Sequence, residues 1–440
     1  MLRPRLVNVA LIASASLLTA CSLLIPPPRS NVVSLGDVDG DGDLDAVVGN
    51  GPGNTDYSGE PNAIWLNDGA GRFTDTGQRL IGSHGTEWDV TRAVALGDLD
   101  GDGDTDVVFG NAIPSPNTVW LNDGAGQYRL HGEAHMKPHD QFDYSTSQSV
   151  ALGDLDDDGD LDIYVGNCCR NEWIISTANE IDTQGFSDAY NMVWLNDGGA
   201  RFADSGQRLG NSATGAVALG DLDGDGDLDA FEVNRGAKLG AIDSVPGNMV
   251  WLNDGLGHFT DSGQRLGYSD GYAVALGDLD GDGDLDAFVG NAYFGCEDKV
   301  WLNDGAGRFT DSEQRLGEKN ARVVVLDDVD RDGDLDAFVG NETFGQIWTN
   351  DGAGNFADSD YRFHWSSEYA VNLADVDGDG DKDVFAIRFD GSYLVWHNDG
   401  TGQFGPEGDW SITPTCLAVG AVVVFGLGLF AWAVRRRRGS

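Results

Sequence analysis

The chain has 440 residues, a net charge of −46, and 73 acidic side chains against 27 basic ones. That imbalance excludes a phosphate-reading surface, so nucleic acid is not an expected partner. The 5 cysteines are too few for a disulfide scaffold at this length, although an oxidising compartment would allow pairing of Cys168 with Cys169, or of either with Cys296.

The chain opens with Arg3 and Arg5 followed by an apolar run from Leu6 to Ala20, which reads as a secretion signal over 1–21. Its end, Leu18-Thr19-Ala20-Cys21, resembles a bacterial lipobox, which implies lipid on Cys21; an ordinary signal peptide is the alternative.

From Asp37 onward one nine-residue pattern, Asp-x-Asp-x-Asp-Gly-Asp-x-Asp, returns seven times. The first three copies contribute Asp37, Asp39, Asp41, Asp43 and Asp45; Asp98, Asp100, Asp102, Asp104 and Asp106; and Asp154, Asp156, Asp158, Asp160 and Asp162. The next two contribute Asp221, Asp223, Asp225, Asp227 and Asp229, then Asp278, Asp280, Asp282, Asp284 and Asp286. The last two contribute Asp328, Asp330, Asp332, Asp334 and Asp336, then Asp375, Asp377, Asp379, Asp381 and Asp383. Carboxylates two residues apart around a turn glycine wrap a single hard cation, with position 7 offering its backbone carbonyl. Crowded carboxylates without counter-cations repel one another, so about seven Ca2+ ions per chain are expected, one to a loop. An EF-hand needs a Glu at position 12 and helical flanks. Position 12 of the first copy is Val48, and flanks such as Asp-Val-Val-Phe (106–109) favour strands.

Each copy sits in a longer repeat. A strand such as Ala-Val-Ala-Leu-Gly (93–97) precedes the loop, and one such as Asp-Ala-Phe-Val-Gly-Asn (286–291) follows it. A third carries Trp65, Trp120, Trp194, Trp251, Trp301, Trp348 or Trp396 and ends in an Asn-Asp-Gly turn. A fourth carries Phe73, Tyr128, Phe202, Phe259, Phe309, Phe356 or Phe404. One aromatic of each kind per unit reads as core packing rather than a ligand cage. Four strands in each of seven units predict an all-β, seven-bladed β-propeller over 30–406, with a straight β-solenoid as the alternative.

The Asp loops with their Val-Gly-Asn followers, and the Trp-Leu-Asn-Asp-Gly-x-Gly-x-Phe stretches, resemble the FG-GAP/VCBS repeat family, the units of the integrin α-subunit propeller and of many bacterial surface proteins. The resemblance implies the propeller and its calcium; it leaves function open, because family members include adhesion proteins, lectin-like modules and non-catalytic parts of enzymes. Repeat 4 departs at Glu232 and Val233, repeat 6 has Asp327 before the loop and Arg331 within it, and repeat 3 has an extra Asp157.

Alternating strand direction puts the Asp loops and Asn-Asp-Gly turns on one face. The second-to-third connections lie on the other, read as 342–346 in repeat 6 but 51–63, 235–249 and 168–192 in repeats 1, 4 and 3. Long connections mark a binding face, with Trp173, Tyr144 and Tyr190 as candidate anchors for a protein or glycan. His131, His135 and His139 have metal-ligand spacing, but Pro138 breaks the helix they would need.

After a linker, 407–416, the run from Leu417 to Val434 is long enough for a transmembrane or C-terminal sorting helix, and Arg435 to Arg438 place the 435–440 tail in the cytoplasm. The expected localisation is therefore the extracellular face of the cell envelope, membrane-anchored. No catalytic motif such as Gly-x-Ser-x-Gly or His-Glu-x-x-His is present, so a binding or adhesion module is the leading reading. A polysaccharide-active hydrolase or lyase, or a plain surface spacer, are the alternatives.

Overall fold

The computed structural model describes residues 30–51, 61–82, 90–112, 115–131, 145–170, 190–235, 247–267, 270–292, 297–317, 320–341, 344–364, 370–388, 392–405 and 409–410. Within them lie seven four-stranded antiparallel sheets, each built from four consecutive strands. These are the blades of a propeller: blade 1 spans 30–80, blade 2 90–130, blade 3 145–204, blade 4 214–261, blade 5 271–311, blade 6 321–364 and blade 7 370–410. First strands of neighbouring blades lie side by side, and Ser30–Gly36 of blade 1 lies beside Ala370–Ala374 of blade 7, which closes the ring.

Second strands are buried almost throughout where described, and Asp286–Asn291 along its whole length, because a sheet covers each face. All seven third-strand tryptophans are buried. The fourth-strand aromatics pack between blades. Phe309 meets Phe231 of the preceding blade edge-on at 5.0 Å, and Phe356 meets Phe288 at 5.3 Å. Phe73 meets Phe385 at 4.5 Å across the junction that closes the ring. Such pairs add about 0.5–1.5 kcal/mol each beyond the area they bury.

The Asn of each third-strand turn is a further link, which its reading as a simple turn residue missed. Asn303 donates its side-chain N–H to the Leu222 carbonyl in the preceding blade's Asp loop, at 2.8 Å. Asn122, Asn196, Asn253, Asn350 and Asn398 do the same to Val38, Leu99, Leu155, Leu279 and Val329. Asn67 reaches Val376 at 2.9 Å, from blade 1 back to blade 7. A second set of links runs through glutamines. Gln264 accepts the Phe309 N–H at 2.9 Å and donates to the Gly307 carbonyl at 2.6 Å, with Gln78, Gln207 and Gln314 acting alike. Tyr361 replaces the glutamine in blade 6 and donates its hydroxyl to Phe404. Asn67→Ala is expected to remove one of two hydrogen bonds to the Val376 carbonyl, which keeps the Gly71 N–H at 2.9 Å, costing about 0.5–1.5 kcal/mol. Denaturant titration against the equivalent Asn303→Ala tests whether the closing junction is an ordinary one; equal losses are expected.

Departures from the repeat come in matched pairs across interfaces. A Cβ on Gly97, Gly153, Gly220 or Gly277 would come within 2.6 Å of the next blade's Leu161, Leu228, Leu285 or Leu335. In blade 6 the glycine is Asp327 and in blade 7 the leucine is Lys382, and the two form an ion pair at 3.6 Å. Val233 takes a glycine position in blade 4, and Gly271 makes room for it in blade 5, where a Cβ would lie 2.1 Å from Val233. Glu232 is fully buried and accepts hydrogen bonds from the Tyr164 hydroxyl and the Asn191 amide of blade 3. Burial raises its pKa, which favours the neutral acid.

The connections differ from their expected bounds. The second strand of blade 3 runs through a register shift to Arg170 and its third begins at Met192, so the connection is 171–191 rather than 168–192. Cys168 is a buried strand residue and is disulfide-bonded; Cys169 and Cys296 lie outside what is described of side chains. Blade 6 joins its strands through 342–343 alone, because Gly340 already pairs with Gly345. Blades 1 and 4 use 51–61 and 235–248, since Asn62, Ala63 and Met249 belong to third strands. Among the described residues no helix is long and apolar enough to cross a membrane. The expected signal over 1–21 and the expected span, 417–434, lie outside them.

Candidate metal centres

Each Asp loop joins first and second strands and doubles back on two left-handed residues. In blade 1 these are Gly40 at φ 77° and Gly42 at φ 95°, where side chains are penalised. Asp157 and Arg331 occupy the first of these positions in blades 3 and 6, at φ 60° and 62°.

The five acids of a loop have different tasks. Position 1 shapes the turn: Asp37 accepts the N–H groups of Gly40 and Gly42 at 2.8 and 3.0 Å. Asp41, at position 5, accepts the Asp43 N–H at 3.0 Å. Position 9 ties the loop to the blade. Asp45 has no exposed surface; its Oδ2 accepts the Val38 N–H at 3.0 Å and its Oδ1 the Asn67 N–H at 2.8 Å. The same two bonds recur in every blade, for instance from Leu279 and Asn303 to Asp286. Burial pushes the Asp45, Asp106, Asp162, Asp229, Asp286, Asp336 and Asp383 carboxyls up to about 6.

Position 3 is the informative one. Asp39, Asp100, Asp156, Asp223 and Asp280 each hold a buried Oδ1 with no hydrogen-bond partner. Burial, then the neighbouring carboxylates, raises the pKa of these groups. An oxygen sealed from water and aimed among other carboxylates is costly unless a cation meets it. Ligand oxygens of Asp37, Asp39 and Asp41 lie within 4.8 Å of one another, as do those of Asp98, Asp100 and Asp106, of Asp154, Asp156 and Asp162, and of Asp221, Asp223 and Asp225. Position 7 is turned elsewhere. The Asp43, Asp104, Asp160, Asp227, Asp284, Asp334 and Asp381 side chains rest against the glycines of their own blades' third-strand turns, such as Gly69 and Gly305. The residues therefore fit a hard, oxygen-ligated ion held by positions 1, 3, 5 and 9.

Of the three spaced histidines, only His131 falls among the described residues. His131 is half-buried and donates its backbone N–H to Val119, while His135 and His139 lie outside them. Of the candidate anchors, Tyr190 is half-buried and its carbonyl accepts the Asn167 amide at 2.8 Å; Trp173 and Tyr144 lie outside the described residues.

No curated protein sequence matches the chain. Among solved structures, the BP39L lectin from Burkholderia pseudomallei aligns with a TM-score of 0.54 at 14% identity, covering 88% of this chain and 100% of its own. BBS1N, solved in complex with ARL6DN, aligns with a TM-score of 0.53 at 12% identity over 86% and 95%. Identities this low speak for the fold alone. The FG-GAP-like repeat matches residues 37–109, 98–165, 240–289, 328–386 and 375–426. A repeat match across most of the chain, on a ring of blades each carrying an Asp-rich loop between its first two strands, makes this protein a member of the FG-GAP-like repeat family.

Proposed function

We propose that the protein is a calcium-stiffened binding propeller, secreted and tethered at the outer face of the cell envelope, that presents its long-loop face to a protein or glycan. The carrying observation is the contrast between the two faces. On one, the same loop and turn recur in all seven blades; on the other, connections range from 342–343 to 171–191. A uniform face stabilises, and a variable face supported by rigid blades is where specificity resides. Calcium would be held by positions 1, 3, 5 and 9 of each loop, with the position 7 carbonyl, supplying the charge that the orphaned position 3 oxygens need. Binding is favoured over catalysis because the family match and the lectin that shares the fold both suit a recognition module.

Replacing 171–189 with a two-residue turn tests this. The cut keeps Cys168, Tyr190 and Met192, which belong to the blade or its hairpin. Full chain and variant would be compared on glycan arrays and on intact cells, with turnover of polysaccharide pools followed in parallel. Lost binding with an unchanged melting temperature is expected. Equal binding would move the site to another face, and turnover by the full chain would favour the hydrolase or lyase reading.

A further inference from the structure

Three departures from the repeat converge on the loop of blade 7. His397 stands where blades 1 to 5 have Leu66, Leu121, Leu195, Leu252 and Leu302, and blade 6 has Thr349. Arg331 reaches across from blade 6 to ion-pair with Asp381, and Lys382 is held against Asp327. His397 Nδ1 lies 3.0 Å from Asp377 Oδ2 and 3.6 Å from Asp383 Oδ2. Donor atoms of these three residues lie within 4.8 Å of one another. The nitrogen is sealed from solvent, yet it makes no aligned hydrogen bond. Asp383 is fully buried, and its Oδ2 bond to the Val376 N–H, at 3.3 Å, is the longest of the seven equivalents.

The position 3 oxygen that lacks a partner in blades 1 to 5 thus faces an imidazole nitrogen in blade 7. Calcium takes oxygen ligands in sets of six to eight. An imidazole with two carboxylates is instead a donor set for a borderline dication, as at zinc sites, with a fourth place for water or a further loop acid. The Arg331 guanidinium beside Asp381 lowers the pull of this loop on a hard cation that relies on accumulated negative charge.

We propose that blade 7 holds a transition dication of the zinc class through His397 Nδ1, Asp377 and Asp383, an inference that rests on the calcium reading only for the other loops. The full chain, saturated with calcium, would be titrated with Zn(II) alone, and both metals counted after gel filtration. About one zinc per chain is expected that His397→Leu loses, with calcium unchanged. Leucine is native to five other blades at this position, so the variant is expected to fold; Asp377→Asn, isosteric with the acid, should lose the same zinc. Cobalt(II) in place of zinc should give visible absorption that is absent in both variants. No retained zinc, or equal zinc on wild type and His397→Leu, would overturn the proposal and point to an internal histidine–aspartate pair. Zinc held through His397 on a chain that binds no calcium would sink the calcium reading and leave this one standing.

Discussion

Removing calcium with a chelator is expected to lower the melting temperature of the full chain by on the order of 20 °C or more. A site kept at 100 times its dissociation constant stabilises by about 2.7 kcal/mol. Several such sites act on one ring, and about 2–4 °C accompanies each kcal/mol in domains of 150–250 residues. Magnesium should restore little, since it prefers a tight octahedron with retained waters. The chelated chain should also show an inverted pH response. The position 9 carboxyls titrate near 6 in the folded chain against 3.8 as free groups, because burial disfavours their charge. Between those values the folded state binds more protons than the unfolded one, so stability falls as pH rises from about 4 to 6. The apo protein should melt higher at pH 5 than at pH 7. With calcium present the order should reverse, because protons then compete with the ion. Melting curves at the two pH values, with and without chelator, test both statements.

Asp286→Ala is expected to cost far more stability than Asp282→Ala, although both belong to one loop. Asp286 is fully buried and holds two backbone N–H groups, from Leu279 and Asn303. Its loss would strand both donors at about 1–3 kcal/mol each, in addition to the lost ion. It would also loosen Asn303, which links blade 5 to Leu222 of blade 4. Asp282 accepts only the Asp284 N–H at the exposed tip. Its removal should empty one site and leave the ring folded, because repeats contact mainly neighbours. Urea titration in excess calcium separates the two; equal losses would mean that position 9 is no more than another ligand.

The strands, the tryptophan stripe and the seven loops were legible because they repeat with a fixed spacing, and spacing is what a chain displays directly. The division of labour within a loop was not. Five aspartates look alike in sequence, and only folding shows that Asp45 is a backbone clasp, that Asp39 carries the orphaned oxygen and that Asp43 faces Gly69. The blade-to-blade links were hidden for a similar reason. Asn67 reads as a residue that tolerates a tight turn, and nothing local shows that its amide reaches a carbonyl at position 376. Strand ends at Arg170 and Phe344 were missed because a bulge and a two-residue hairpin extend pairing past the apolar run. His397 escaped notice because only folding brings it against Asp377 and Asp383 of the same blade's Asp loop.

The central claim, that the Asp loops are filled by calcium, is tested most directly by counting the ions. Native mass spectrometry of the full chain, purified in calcium and stripped of zinc, should find about six or seven calcium ions per chain, on one ion per loop. It should find fewer by one in Asp282→Ala. A chain that carries none, or a count unmoved by that substitution, would contradict the account.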